Sequence, residues 1–180
     1  MNTKNPYLPI NDDWLQLCSE EPIDKGQIII DPHHHLWDLD FGKYLHKEFL
    51  LDVESSGHNV VASVYIMSSA NTQIYDKFSH KEYETIPEII FAFNEYKNAK
   101  NNKISHCQMN ESIVGSLDLR YGKKLIPVIE RGLELSNGKL KGIRMLLAAH
   151  PDSKIISGAV KTPTEIMKDM RFIEGAKILK

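Results

Sequence analysis

The chain has 180 residues, 42% of them hydrophobic and 26% charged, with a net charge of −2. That is the composition of one globular domain with enough apolar material for a core. It argues against a basic nucleic-acid binder and offers no strong attraction to a membrane surface.

The two cysteines, Cys18 and Cys107, are far apart and make no C-x-x-C motif, which suggests a reducing compartment. The polar residues 1–6 lack the apolar segment of a secretory signal, and Val60–Met67 and Ile89–Phe93 are far too short to span a bilayer. The expectation is a cytoplasmic protein with neither membrane nor nucleic acid as partner.

Residues 1–26 read as a preamble. Asn11-Asp12-Asp13 can cap a short helix through Trp14–Leu17 that Glu21-Pro22 ends, and Trp14 and Leu15 are expected to pack on a neighbouring surface. The first strand is expected over Gln27–His33, where Ile28-Ile29-Ile30 looks like the buried half of a strand. Directly after it comes Asp31-Pro32-His33-His34-His35-Leu36-Trp37-Asp38. In extended chain His33 and His35 project one way and His34 the other. Two residues rise about 6.6 Å, close enough for both rings to lean onto one metal ion. The bland alternative, imidazoles satisfied by neighbouring carbonyls, suits a lone histidine better than a period-two pair at a strand end. The spacing names neither the metal nor the reaction.

After a turn at Asp40–Gly42, Leu45, Phe49 and Val53 recur at helical spacing, and Gly57 is placed to end that helix. The second strand, Val60–Met67, has the look of a strand covered on both faces in a parallel sheet. A long polar connection, Ser68–Thr85, leads to a helix with Pro87 in its first turn and Ile89, Ile90, Phe93 and Tyr96 on its buried stripe. Its end, Asn94–Lys103, reads as solvated. The third strand is Ser112–Asp118. Its helix carries Leu125, Ile129, Leu133 and Leu135 and closes at Asn137-Gly138, and the fourth strand is Lys141–Leu147. A loop from His150 to Lys161 runs into Thr162-Pro163-Thr164-Glu165, a capping box that predicts a last helix over Pro163–Met170.

Strands alternating with helices predict a parallel α/β sheet of right-handed βαβ units, either open or closed into a barrel. No Gly-rich phosphate loop follows any strand, which disfavours a nucleotide-binding sheet. The polar residues at C-terminal strand ends are His33, His35, Tyr65, Asp118 and Arg144. In a barrel those positions mark the active face.

The run 29–38 resembles the opening of the amidohydrolase-related family within the amidohydrolase superfamily. The likeness continues, in order, through Gly57–Tyr65, Ile113–Leu119 and Lys141–Arg144, with Asp13-Trp14-Leu15 in the preamble. It covers nearly the whole chain, and the lactonases of that family are the nearest in kind. The resemblance implies a (β/α)8 barrel of the TIM type, of which residues 27–180 would supply about the first four βα units. It implies that His33 and His35 hold a divalent metal, zinc first, or contact substrate as in metal-independent members.

By the same resemblance Arg144 would anchor an anionic substrate group, with a structural salt bridge as an equal alternative. Tyr65 is divided between core packing and donating into the pocket, and Asp118 is expected to cap the next turn rather than to catalyse. The general base would come from a strand beyond residue 180. Relatives tend to carry an acidic residue at Met67 and a histidine at Met145, so this chain loses polar groups from the presumed pocket rim. The implied activity is metal-assisted hydrolysis of a lactone or similar cyclic ester or amide of a small anionic substrate. The alternatives are a decarboxylase of the same superfamily and a catalytically silent fragment or interaction module. A half-barrel leaves strand edges unpaired, and a homodimer closing edge to edge would cover them.

Overall fold

Short β-branched runs separated by helical repeats fold, in the computed structural model, into one parallel sheet with helices beside it. The structure describes residues 11–18, 20–39, 42–68, 81–150, 152 and 165–180. In chain order the elements are α1 (Asp12–Leu15), β1 (Ile28–His34), β2 (Trp37–Leu39), β3 (Gly42–Tyr44), α2 (His46–Ser55) and β4 (Asn59–Ile66). There follow α3 (Ile86–Asn101), β5 (Gln108–Ser116), α4 (Leu125–Leu135), β6 (Leu140–Arg144) and α5 (Met170–Lys177). The sheet order is β1-β4-β5-β6, with every neighbouring pair parallel. Strand order follows chain order without reversal, so these four strands contain no switch point of the doubly wound kind.

Helices α2, α3 and α4 pack in a row, α2 on α3 and α3 on α4. One face of the sheet turns its side chains into that layer. Leu50, Ile89, Ile113, Leu125 and Val128 are buried to 1% exposure or less, each stabilising the fold by roughly 1.5–3 kcal/mol. The opposite face is open among the described residues. Ile28 and Ile30 are 64% and 60% exposed, while Ile29 between them is half-buried. The expectation of a fully buried isoleucine run is therefore corrected: the strand alternates, and the helix layer covers only one side of it.

Other local expectations shift for definable reasons. Trp14 and Leu15 lie 67% and 56% exposed on α1, where Asn11 Oδ1 accepts from the Trp14 N–H and the Asn11 carbonyl from the Leu15 N–H, both at 3.0 Å. They pack on no described surface. Trp37 and Tyr44 stack at 5.0 Å across an antiparallel hairpin, β2–β3, where only a turn was expected. On α3 the buried stripe is Glu88, Ile89, Ala92, Glu95 and Ala99. Phe93 and Tyr96 stack on each other at its margin, under the ammonium groups of Lys97 and Lys139. Where the last helix was expected, Ile166–Lys168 makes a 3-10 turn, and Asp169 restarts the chain as the N-cap of α5 by accepting from the Arg171 N–H at 2.9 Å. The turn residues Asp40 and Phe41, most of the connection 68–85, most of the loop after His150 and the capping-box residues 162–164 lie outside the described residues.

Glu95 joins two helices. Its Oε2 accepts from both the His46 backbone N–H (3.0 Å) and His46 Nδ1 (2.7 Å), and its Oε1 accepts from Asn98 at 2.9 Å. Both side chains of the pair are at least 85% buried. Glu95→Ala would strand those donors, so urea unfolding should register a loss of roughly 2–3 kcal/mol. A loss below about 0.5 kcal/mol would mean that the pair contributes nothing beyond solvation.

No helix among the described residues is long and apolar enough to cross a membrane. Cys18 and Cys107 are free thiols, and burial pushes the Cys107 thiol up to about 11.

Candidate functional site

The end of β1 is built around a bulge. From Asp31 to His34 the strand uses three residues where β4 uses two, Ser63 to Tyr65. Pro32 has no N–H to offer the ladder, and the Asp31 carboxylate takes the freed His33 N–H at 3.0 Å. The extra residue resets the alternation, so that His34 comes into register with Tyr65 on the helix-facing side. His33 and His35 then share the other side. The sequence Asp-Pro-His-His-His is thus a bulge that sorts three imidazoles into one inward and two outward.

His35 Nδ1 lies 2.6 Å from the carbonyl oxygen of Ile66. A carbonyl only accepts, so Nδ1 carries the proton and Nε2 keeps its lone pair. That Nε2 is 3.3 Å from His33 Nε2. Two nitrogens bound at 2.0–2.1 Å to one tetrahedral zinc lie about 3.3–3.4 Å apart. In the metal-free chain the same separation is a single N–H···N hydrogen bond. His33 is exposed and His35 half-buried, so the pair is reachable from the open face. The two imidazoles fit two of the four positions around a zinc ion. Among the described residues no group of three or more His, Cys, Asp or Glu side chains is placed to hold a metal.

Arg144 ends β6 in register with Ser116 of β5 and is half-buried. Its Nη1 donates to the Met67 carbonyl at 3.3 Å, and among the described residues no carboxylate lies within ion-pair reach of it. His35 and Arg144 therefore reach consecutive carbonyls, Ile66 and Met67, at the end of β4. The guanidinium keeps donors for an anion on the same rim as the imidazole pair.

Tyr65 lies elsewhere. It is fully buried on the helix-facing side, edge-on to Phe91, and its hydroxyl donates to Glu88 Oε1 at 2.9 Å. Of its two readings, core packing is the one the geometry displays. Asp118 caps the 3-10 turn Leu119–Lys124, accepting from the Arg120 N–H at 3.0 Å and pairing with the Arg120 guanidinium. Burial would raise that carboxyl, but the Arg120 contacts outweigh it and hold the group below the usual carboxylate range. Met67 belongs to the interior, 2% exposed with its sulfur accepting from Thr85 and Ser116, while Met145 is half-buried against the core with its sulfur accepting from the Leu119 N–H.

Sequence reasoning passed over the polar groups beneath this rim. His34 is 8% exposed, stacks on Phe49 at 4.3 Å and meets Asn110 Oδ1 through Nε2 at 2.8 Å. Asn110 is completely buried with φ of +54°. Glu88 is also completely buried, accepting from Tyr65 and from the Ser68 N–H. The available signal was spacing. Glu88, Ala92, Glu95 and Ala99 fall on one helical face, which marks the two carboxylates as buried and partnered.

At the other end of the sheet a cavity of ≈ 200 Å³ is lined by Tyr96, Lys100, His106, Cys107 and their neighbours. Its polar groups are largely taken up locally. Ser105 Oγ accepts from the Cys107 N–H, Asn102 Oδ1 from the Ile104 N–H, and His106 Nε2 meets Asn59 Oδ1. The strand-end rim is the better candidate. No family model, no curated protein and no solved structure matches the chain.

Proposed function

We propose that the four parallel strands are an arc of a (β/α)8 barrel of the amidohydrolase-related type, and that the chain serves metal-assisted hydrolysis of a lactone or similar cyclic ester or amide of a small anionic substrate. One observation carries the reading. At the end of β1, His33 and His35 bring their Nε2 atoms to 3.3 Å, with one tautomer already set by a backbone carbonyl. The resemblance of the sequence motifs supplies the reaction class.

In this reading His33 and His35 hold the divalent ion, zinc first. When bound, such an ion polarises a carbonyl and makes water a stronger nucleophile near neutral pH. His35 Nδ1–H, fixed on Ile66, keeps the ring turned and raises its basicity as a ligand. Arg144 receives the carboxylate of the substrate and sets its orientation on the rim. The remaining ligands and the general base come from outside the described residues. Exposed Ile28 and Ile30 on the edge strand β1 favour a second copy of the chain as one way to close the barrel.

A panel of lactones assayed with added Zn2+ or Mn2+ tests the reading. Turnover is expected, abolished in His33→Ala. Arg144→Met is expected to raise KM for carboxylate-bearing substrates at least tenfold, an effect of about 1.4 kcal/mol or more. Absence of turnover on every lactone, with CO2 released instead, would move the chain to the decarboxylases. Absence of both would leave it as an interaction module.

A further inference from the structure

Asn110 sits on β5, two strands over from β1 in the sheet order, and the chain departs from regular pairing to place it. Between the pairs Ala62–Gln108 and Val64–Ser112, β5 uses four residues where β4 uses two. Asn110 lies in that bulge with φ of +54°, in the left-handed region that non-glycine residues enter uncommonly and asparagine most readily among them. Three bonds hold it there. Its N–H donates to Ser63 Oγ at 3.1 Å, its Nδ2 donates to the Ala92 carbonyl of α3 at 2.9 Å, and its Oδ1 accepts from His34 at 2.8 Å. The amide thus reaches over β4 and ties α3 to the end of β1.

The residue it ties is the middle of the three histidines. His34 is flanked on the chain by the two outward imidazoles, and its ring is clamped between Phe49 and the Asn110 amide. Rotating the end of β1 about its axis would swing His34 off Asn110 and carry His33 and His35 with it. We infer that Asn110 is a positioning residue for the His33–His35 pair, fixing through His34 the twist of the β1 bulge that brings the two Nε2 atoms to ligand spacing. The inference rests on the reading of that pair as metal ligands. Bulges in two non-adjacent strands, each aiming one member of a buried hydrogen bond at the other, are the placement such a role requires.

Asn110→Gly is the direct test, since glycine accepts the backbone conformation and removes only the amide. His34→Phe deletes the same bond from the other side while keeping an aromatic ring on Phe49, and is read identically should the glycine variant not fold. Two measurements are made on each. The first is the imidazole nitrogen spectrum of the metal-free protein by long-range 1H–15N NMR. The second is a Co2+ titration followed by visible absorption.

In the wild type His35 should show the Nδ1–H tautomer. In both variants the His33 and His35 signals should shift toward the tautomer mixture of a free histidine, and Co2+ affinity should fall at least tenfold. Glu95→Ala, destabilised at the α2–α3 junction, should change neither. A folded variant with the wild-type tautomer and unchanged Co2+ affinity would overturn the inference. If the wild type takes up no Co2+, the ligand reading fails separately, and the tautomer signals alone decide whether Asn110 positions the pair.

Discussion

In buffer containing EDTA, the protein is expected to lose roughly 3 kcal/mol of stability through His34 as the pH falls from about 6.5 to about 4. Burial pushes this imidazole down from its ordinary 6.5 to about 4, while the Asn110 bond and the Asp31 carboxylate 3.8 Å from Nδ1 offset only part of that and the neighbouring His35 adds to it. Nδ1 itself is buried, with no hydrogen-bond partner of good geometry among the described residues. The unfolded chain therefore takes up a proton near pH 6.5 that the folded chain refuses until about pH 4. Between those values the unfolded state binds more protons, so acid favours it. Above them His34 is neutral in both states and imposes no penalty; below them the penalty is complete.

His34→Gln removes the titrating group. At neutral pH the variant should be the less stable protein, having lost the stack on Phe49. On acidification the wild type alone suffers the His34 penalty, so the gap between the two should change by roughly 3 kcal/mol in the variant's favour. Urea unfolding of both proteins in steps from pH 7 to pH 4 reads this difference, and groups common to both cancel. A gap that stays constant would mean that His34 is not held neutral.

The second large effect is expected from Gly175→Ala. In an exposed helix that change stabilises by about 1 kcal/mol, because alanine loses less backbone entropy. Here an added Cβ would lie 2.7 Å from the Leu119 carbonyl carbon and closer still to its oxygen. The obstacle is backbone, which has no rotamer to change. Helix α5 must lift off the turn Leu119–Lys124, uncovering Phe172 and Ala176 where they pack against the core. The net expectation is a loss of about 2 kcal/mol or more, with amide protection collapsing over 170–177.

Gly132→Ala is the contrast. Its Cβ would meet the methyl tips of Leu140 at 2.9 Å and Ile89 at 3.0 Å, which are side chains able to shift. Helix propensity then offsets most of the crowding, and the change should stay within about 1 kcal/mol. Equal outcomes at the two glycines would show that α5 does not rest on Leu119.

The main elements were legible because each follows from a local rule. The β-branched runs became β1 and β4, Pro87 stands in the first turn of α3, and Asn137 and Gly138 end α4 with φ of +50° and +76°. The opposed directions of His34 and its neighbours follow from strand alternation. What alternation could not supply was the bulge at Pro32, because a register shift depends on the partner strand and not on the strand itself. The same holds for Tyr65, whose direction is set by its pairing with His34 and Ile113. Asn110 was the least legible residue. Its role arises from a second bulge and a contact 76 residues distant in sequence, neither of which leaves a local pattern.

Hairpin β2–β3 escaped for a different reason. Its strands are three residues each, too short for periodicity to register, and the Trp37–Tyr44 stack that stabilises it forms only after the chain has turned. On α3, counting only apolar residues placed the stripe over Phe93 and Tyr96. The buried face instead includes two glutamates whose partners, His46 and Tyr65, come from other elements.

The measurement that bears most directly on the whole account is zinc uptake by native mass spectrometry, comparing the wild type with His33→Ala/His35→Ala. The wild type should bind zinc and release it to EDTA, and the double variant, folded by circular dichroism, should bind none. Zinc retained equally by the double variant, or refused by the wild type, would contradict a metal pair at the end of β1.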